Sequence, residues 1–225
     1  MQVTKQNIDR RAIVSWSGGK DGYYAALLAQ GMGCFLAVAL NMLNEEGSVS
    51  RAHGLPPALL QAQADTLGLP IIMIPSSWQD YEKKFANALH HLKTTYHATH
   101  VIFGDIDLQE HRDWEEMVCR KAGLIAEWPL WGRDRRELVA DMLQIGIKTM
   151  IVSCNQLMGE HYLGKMLTSR LVAALTKENI DPCGENGEFH TMVIDGPLFK
   201  APLCVSVVGR TLLNGYWIAS LELQK

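Results

Sequence analysis

The sequence lacks closely spaced cysteines, long apolar runs and a large excess of charge of either sign. Its five cysteines are an odd set spread along the chain, which argues against a disulfide framework, a zinc ribbon and a cysteine-ligated iron–sulfur cluster. The longest unbroken apolar run, residues 31–40, is about half as long as a membrane span requires. The polar N-terminus shows no signal-peptide pattern. We therefore expect a cytoplasmic chain without a membrane segment.

The charge balance excludes a strongly basic surface. The 21 Lys and Arg against 24 Asp and Glu give a formal net charge of −3, so direct nucleic-acid binding is not expected. Hydrophobic residues make up 48% of the 225 residues and charged residues 20%, which is typical of a globular protein with an apolar core. This length suits one large or two small domains, with no room for a fused ammonia-generating domain.

Short apolar runs alternate with helical segments in the first half of the chain. That order predicts an α/β fold with a doubly wound parallel sheet, because strands buried on both faces read as continuous apolar runs. The predicted strands are 12–16, 35–40, 71–74, 101–103 and 125–128, and the predicted helices are 23–30, 56–67, 81–96 and 113–122.

The pattern changes near Pro129. Two further helices and several short strands separated by turns predict a smaller C-terminal α+β domain. The sequence therefore predicts two domains, 1–128 and 129–225. The predicted elements of the second are helices 135–144 and 166–178 and strands 148–153, 190–194, 205–208 and 215–223.

A glycine-rich loop, Ser17-Gly-Gly-Lys-Asp-Gly22, follows the first predicted strand and precedes the first helix. Adjacent glycines allow a tight turn that exposes N–H groups to an anion, and the following helix directs its positive end to the same place. Lys20 suits phosphate oxygens and Asp21 a magnesium ion. The spacing fits neither the Walker loop nor the dinucleotide fingerprint. The loop predicts a phosphate site, the alternative being a plain turn.

A second concentrated signal is the acidic loop, residues 184–191, with the sequence Gly-Glu-Asn-Gly-Glu-Phe-His-Thr. Glu185 and Glu188 lie three residues apart between glycines, so both carboxylates can converge on one cation or polar group. His190 and Thr191 follow at the start of a predicted strand. The alternative is a solvated turn with incidental acids.

Together these loops resemble a known family. Residues 17–21 resemble the pyrophosphate loop of the N-type ATP pyrophosphatases. With Phe103-Gly-Asp105, Pro129-Leu-Trp131 and the acidic loop, the chain resembles the diphthine–ammonia ligase-like ATP-binding family from Ile13 to about Pro197. The resemblance implies an adenine nucleotide alpha hydrolase-like sheet, with residues 1–128 binding the nucleotide and residues 129–225 binding the acceptor.

The resemblance also implies a reaction. Members of this family adenylate a carboxylate with ATP and Mg²⁺, release pyrophosphate, and let ammonium nitrogen displace AMP. The characterised acceptor is diphthine, a modified histidine of translation elongation factor two. Because diphthine carries a quaternary ammonium, carboxylates and aromatic faces suit it, and a glutamate can take the proton that ammonium loses. Nitrogen is expected to arrive as free ammonium.

The site residues implied by the resemblance fall into overlapping sets. The nucleotide set is Ser15, Ser17, Gly18, Gly19, Lys20, Asp21, Gly22, Leu40 and Asp105, with Mg²⁺ at Asp21. The catalytic set is Lys20, Asp21, Glu185 and Glu188, and the substrate set is His53, Glu185, Glu188 and His190.

Other functions stay open at this point. The same chemistry could act on another small carboxylate, for example one linked to cobalamin in bacteria. Gly22, where the family has Ser or Thr, is the loop feature that favours a non-catalytic ATP-binding sensor. A transfer-RNA thiolase is not supported, because paired cysteines are absent. Arg112 is interpreted as a surface or ion-pair residue, and Trp128 and Trp131 as packing residues.

Overall fold

The computed structural model describes residues 10–224. The first nine residues of the predicted domain 1–128 and the last residue of the predicted domain 129–225 lie outside the described residues. The described chain forms two compact units. Residues 10–16, 21–47 and 69–132 are named the α/β unit, and residues 17–20, 48–68 and 133–224 the α+β unit.

The helices and strands alternate through most of the described chain. The strands are β1 (Arg11–Ser15), β2 (Phe35–Leu43), β3 (Ile71–Pro75), β4 (His100–Ile102), β5 (Ile125–Glu127), β6 (Lys148–Asn155), β7 (Phe189–Asp195), β8 (Val205–Leu213) and β9 (Tyr216–Leu223). The helices are α1 (Lys20–Gly31), α2 (Pro57–Leu67), α3 (Tyr81–Tyr96), α4 (Gln109–Ala122), α5 (Arg135–Gln144) and α6 (Ser169–Lys177), with a 3₁₀ turn at Glu160–Tyr162.

The α/β unit contains a five-stranded sheet in the order β3-β2-β1-β4-β5. All four pairings in this sheet are parallel, which confirms the predicted sheet type. Helices α3 and α4 supply Phe85, Leu89 and Val118 to a buried core with Ile13 and Val101 of the strands. Fully burying one such side chain contributes about 1.5–3 kcal/mol. The strand order reverses at β1, between β2 and β4, and the carboxyl edge beside such a reversal is where these sheets bind ligands.

The α+β unit contains a four-stranded sheet in the order β7-β6-β9-β8, with antiparallel pairings. Strands β8 and β9 form a hairpin whose turn residues, Asn214 and Gly215, have φ angles of +50° and +83°. Asn-Gly is the residue pair that tolerates two consecutive positive φ angles in a tight hairpin. The presence of a separate antiparallel sheet in addition to the parallel one confirms the predicted fold class.

Several element bounds and one assignment differ from the sequence expectation. Helix α1 begins at Lys20 rather than at residue 23, and strand β8 continues to Leu213 rather than ending at 208. Helix α4 begins at Gln109 rather than at residue 113. Helix α6 begins at Ser169 rather than at 166, because the Thr168 hydroxyl accepts the N–H of Leu171 as an N-cap. Helix α2 belongs to the α+β unit, where Gln63 ties it to distant segments by side-chain hydrogen bonds.

A membrane span would need a helix of about 20 apolar residues. Within residues 10–224, no helix combines the length and the apolar character that crossing a bilayer requires.

Candidate functional site

The glycine loop has a backbone that only glycine fits. Gly18 has a φ angle of +86°, and a β-carbon there would lie 2.6 Å from a methyl carbon of Leu55. A β-carbon at Gly19 would lie 2.1 Å from Cε1 of His53. The Gly18 carbonyl accepts hydrogen bonds from the backbone N–H of Val193 at 3.0 Å and from Nε2 of Gln63 at 2.9 Å. The loop is therefore held in one conformation before any ligand binds.

Lys20 closes the loop with a buried cation. Its side chain is 3% exposed, and its backbone N–H donates to the hydroxyl of Thr191 at 3.1 Å. Its ammonium donates to the carbonyl of Cys183 and lies 5.8 Å from the ring centre of Phe189. Contacts with Cys183, which precedes the acidic loop, and with Phe189, which lies within it, thus fix the position of the Lys20 ammonium.

Two histidines lie beside this cation. His53 donates its Nδ1–H to the carbonyl of Thr191 at 2.8 Å, and its ring centre is 4.8 Å from that of His190. Burial, with repulsion from His190 and Lys20, lowers the pKa of His53 to about 3. Burial and the charge of Lys20 lower the pKa of His190 to about 4. Both imidazoles are therefore neutral at pH 7.

The acidic loop uses its own carboxylates to hold its shape. Glu188 accepts the backbone N–H groups of Asp181 at 3.1 Å and of Asn186 at 3.0 Å, and the side-chain amide of Asn186 at 3.2 Å. Glu185 is partly buried. Its backbone N–H donates to Asp181 at 3.3 Å.

Asp181 anchors the loop through a buried ion pair. Its side chain is 5% exposed and pairs with Arg135, which also donates to the side-chain oxygen of Asn186 at 3.1 Å. The same carboxylate accepts the N–H of Cys183 at 2.9 Å. The thiol of Cys183 in turn donates to the carbonyl of Arg135 at 3.1 Å.

In the α/β unit, the ends of β1 and β2 lie side by side. Ser15 pairs with Leu40 in the parallel register, and the Trp16 N–H donates to the Leu40 carbonyl at 2.8 Å. Asn41 is 4% exposed and donates its Nδ2–H to the carbonyl of Trp16 at 2.7 Å. Among residues 10–224, Oδ1 of Asn41 accepts no hydrogen bond. A buried acceptor in this state fits an amine such as that of adenine.

The segment after β4 packs against the start of α1. A β-carbon at Gly104 would lie 2.6 Å from the backbone nitrogen of Gly22 and 2.8 Å from the carbonyl carbon of Asp21. Only glycine allows this approach. The contact brings Asp105, the next residue, close to the end of the glycine loop.

Asp105 belongs to a hydrogen-bonded chain of side chains. Its carboxylate pairs with Nδ1 of His111 at 2.9 Å and bonds to the carboxyl of Glu115. The indole N–H of Trp128 donates to Glu115 at 2.5 Å. Burial, followed by the negative charge of Asp105, raises the pKa of Glu115 well above its usual range. Glu115 is therefore a protonated acid at pH 7.

The candidate residues divide between the two units. The α/β unit holds Ser15, Asp21, Gly22, Leu40 and Asp105, and the α+β unit holds Ser17, Gly18, Gly19, Lys20, His53, Glu185, Glu188 and His190. Within residues 10–224, no cluster of three or more His, Cys, Asp and Glu side chains has the arrangement of a metal site.

Several polar residues of these sites escaped the sequence analysis. Their partners are distant along the chain, so no local pattern marks them. A polar residue on the buried face of a helix, such as Gln63 of α2 or Glu115 of α4, was the available signal. The residues are Gln63, Glu115, Arg135 and Asp181.

A parallel sheet with a glycine loop after β1, in a chain that also holds a separate antiparallel sheet, defines the class of α/β proteins built around an anion-binding loop. A model described as "Diphthamide synthase N-terminal domain" matches residues 10–126, and one described as "Diphthamide synthase C-terminal domain" matches residues 134–220. The chain belongs to the diphthamide synthase family.

Relatives named diphthine–ammonia ligase come from several eukaryotes. The Schizosaccharomyces pombe protein is 27% identical over 206 residues, covering 82% of this chain and 34% of that protein. The Danio rerio protein is 27% identical over 162 residues, covering 70% of this chain and 63% of that protein. The chain thus spans about a third to two thirds of the length of these relatives.

One solved structure is also similar. It is titled a predicted subunit of tRNA methyltransferase from Methanocaldococcus jannaschii, is 14% identical, and superposes with a TM-score of 0.45 over 83% of this chain and 97% of that chain.

Proposed function

We propose that this protein is an ATP-dependent amide ligase that adenylates a carboxylate, releases pyrophosphate, and amidates the carboxylate with ammonium while AMP leaves. The observation that carries the proposal is the glycine loop, whose two glycines admit no side chain and whose Lys20 is buried and fixed at both its backbone and its ammonium. The names of the relatives support a carbon–nitrogen ligase.

The nucleotide would lie along the carboxyl edge of the parallel sheet. Ser17, Gly18, Gly19 and Lys20 supply hydroxyl, amide and ammonium groups for the phosphates, which stabilises negative charge as pyrophosphate departs. The backbone at Leu40 suits adenine, and the buried Oδ1 of Asn41 fits its amine. Ser15, Gly22 and Asp105 complete this proposed set.

Asp21 is the residue that would hold Mg²⁺. One carboxylate fits this ion, because Mg²⁺ keeps several waters and usually binds one or two carboxylates together with substrate phosphates. The ion supplies charge neutralisation to the phosphates when bound.

The acceptor is proposed to be diphthine on translation elongation factor two, with another small carboxylate as the alternative. We propose Glu185 and Glu188 for the ammonium or the quaternary ammonium, with His53 and His190 beside them. Glu188 accepts three N–H hydrogen bonds, and we propose that Glu185 or Glu188 receives the ammonium proton. In this proposal residues 1–128 bind the nucleotide, residues 129–225 bind the acceptor, and the reaction takes place in the cytoplasm.

One assay tests the reaction. The protein is incubated with ATP, Mg²⁺, ammonium and either diphthine-modified elongation factor or a panel of small carboxylates. Release of AMP and pyrophosphate only with the true acceptor is expected. Release of ADP and phosphate would contradict adenylation, and ATP binding without turnover on any acceptor would favour a sensor.

A first prediction concerns the glycine loop. In Gly19→Ala, the new methyl group would collide with the His53 ring, so we expect at least a tenfold loss of ATP affinity by calorimetry. Gly31→Ala is the control, because a β-carbon at Gly31 meets no atom within 4 Å. Equal ATP affinities of the two variants would contradict the assigned role of the loop.

A further inference from the structure

A second group of side chains lies at the carboxyl edge of the parallel sheet. It is named the edge cluster and consists of residues that follow β4 and β5. The segments are tied together by the Gly132 N–H, which donates to the Ile106 carbonyl at 2.8 Å, and by stacking of Phe103 on Trp128 at 6.1 Å. The members of the edge cluster are Asp105, His111, Arg112, Glu115, Trp128 and Trp131.

Arg112 is held between two indole rings. Its guanidinium carbon lies 4.8 Å from the ring centre of Trp128 and 4.6 Å from that of Trp131. A guanidinium over an indole face is attracted by the ring, and the attraction is stronger when the pair is desolvated. Trp128 is itself fixed by its hydrogen bond to Glu115. Two aromatic faces therefore restrict the guanidinium to one orientation.

No anion neutralises this guanidinium within the described part of the chain. Arg112 makes no side-chain hydrogen bond or ion pair to residues 10–224, and its side chain is only partly exposed. The two acids of the cluster are engaged elsewhere, since Asp105 pairs with His111 and bonds to Glu115. An oriented fork of N–H donors without an acceptor matches the geometry of a ligand carboxylate or phosphate.

We propose that Arg112, clamped by Trp128 and Trp131, binds the carboxylate of the acceptor. This inference rests on the proposed function for the identity of the anion. Phosphates already have the glycine loop and Lys20 as their proposed partners, whereas the carboxylate to be adenylated has none. The edge cluster also suits this role by position, because Gly104 packs against Asp21 and Gly22 at the end of the glycine loop. Arg112 is a substrate-binding residue in this scheme, so residues 1–128 would contact the acceptor carboxylate in addition to the nucleotide.

A direct binding experiment tests the site without turnover. Glycine betaine, which carries a carboxylate beside a trimethylammonium, is titrated into the protein while the indole N–H resonances of Trp128 and Trp131 are followed by NMR. Choline has the same cation and no carboxylate, and serves as the matched ligand. We expect shifts with glycine betaine and none with choline, and at least a tenfold weaker response in Arg112→Lys, since lysine lacks the planar fork.

Other outcomes overturn the proposal. Equal shifts with choline would mean that the indoles recognise the cation. Shifts with inorganic phosphate but not with glycine betaine would assign Arg112 to the nucleotide. An unchanged indole response in Arg112→Lys would mean that Arg112 only packs against the two indoles and does not bind the ligand. The same conclusion would follow if the response were lost only because the variant no longer gives the spectrum of a folded protein. Trp131→Phe keeps an aromatic face and should fold while losing part of the response.

Steady-state kinetics then separate this inference from the proposed function. If the wild-type protein ligates the acceptor, Arg112→Lys should raise the KM for the acceptor at least tenfold and change the KM for ATP less than twofold. A parallel rise in both KM values would contradict acceptor binding. If the wild-type protein ligates no acceptor while glycine betaine still binds through Arg112, the proposed function fails and the oxyanion site stands.

Discussion

Two arginines in this molecule have opposite surroundings. Arg135 of the α+β unit forms an ion pair with Asp181, whose side chain is 5% exposed, and donates to Asn186. Arg112 of the α/β unit lies between Trp128 and Trp131 and meets no carboxylate within residues 10–224. The first guanidinium is therefore part of the scaffold of the acidic loop, and the second is available to a ligand.

Two glutamates repeat the contrast. Glu188 accepts three N–H hydrogen bonds, one from Asp181 and two from Asn186. Glu115 is buried against Asp105 and favours the protonated acid. In the α+β unit, the carboxylates of Asp181 and Glu188 thus have hydrogen-bond partners within the unit, whereas the edge cluster of the α/β unit keeps one acid neutral and one cation unneutralised. An internally satisfied group stabilises the fold, and an unsatisfied one points to a ligand.

The largest expected effect comes from breaking the scaffold ion pair. In Asp181→Asn, Arg135 loses its ion-pair partner, and the backbone N–H groups of Cys183 and Glu185 lose a charged acceptor. We expect the free energy of unfolding to fall by about 3 kcal/mol, as for other buried pairs that lose one partner. Urea denaturation measures the change.

The matched control is Glu82→Gln. Glu82 forms an ion pair with Lys121 in which both side chains are about half exposed. Solvent screens such a pair, so its loss should change the stability far less than that of Asp181→Asn. Similar losses in both variants would mean that the acidic loop does not depend on Arg135.

The next prediction sets the two glutamates against each other. In the wild type, both carboxylate oxygens of Glu188 accept backbone N–H groups. In Glu188→Gln the new side-chain NH₂ group faces one of these N–H groups, which should lower the free energy of unfolding by about 1–3 kcal/mol. Glu115→Gln keeps both hydrogen bonds, because an amide donates to Asp105 and accepts from Trp128 as the protonated acid does. We expect Glu115→Gln to be at least as stable as the wild type at pH 7.

The stability difference between the wild type and Glu115→Gln should depend on pH. The folded-state pKa of Glu115 is raised, so between its unfolded pKa near 4.5 and its folded pKa the native state binds more protons than the unfolded state. The contribution of Glu115 to the free energy of unfolding is fully present below pH 4.5 and is lost as the pH rises toward the folded-state pKa. Glu115→Gln should therefore gain stability relative to the wild type with increasing pH, measured by denaturation from pH 5 to 8. A constant difference would show that Glu115 is ionised in the folded protein.

Local patterns were enough to predict most of the fold. The bounds of α3 and α5 agree with the predicted helices 81–96 and 135–144, because periodic apolar residues and the Asp134 cap are local signals. The parallel sheet likewise followed from continuous apolar strands. Helix α2 was different. It belongs to the α+β unit, where its Gln63 bonds to the carbonyls of Gly18 and Val193, which lie 45 and 130 residues away in the chain.

The site was predictable only where it is local. The loops 17–22 and 184–191 carry their signals in consecutive residues. The Arg135–Asp181 ion pair joins residues that are 46 positions apart in the chain. The contacts of Arg112 with Trp128 and Trp131 form because β4 and β5 are neighbouring strands. Contacts of this kind are set by tertiary packing, so residue types alone suggested an ion pair and simple packing for these side chains.

The smallest predicted effect concerns the histidines beside Lys20. The pKa values of His53 and His190 are lowered to about 3 and about 4. Below pH 6.5 these histidines are therefore protonated in the unfolded chain while they stay neutral in the folded protein. Each histidine's contribution to the free energy of unfolding is fully present above pH 6.5. It is lost as the pH falls, by up to about 1.4 kcal/mol per histidine at pH 5.5. His53→Asn and His190→Asn should each remove one such contribution from the stability difference between pH 7.5 and 5.5. His91→Asn, at an exposed position of α3, is the control. If all three variants kept the wild-type pH profile, burial and the Lys20 charge would not keep His53 and His190 neutral in the folded protein.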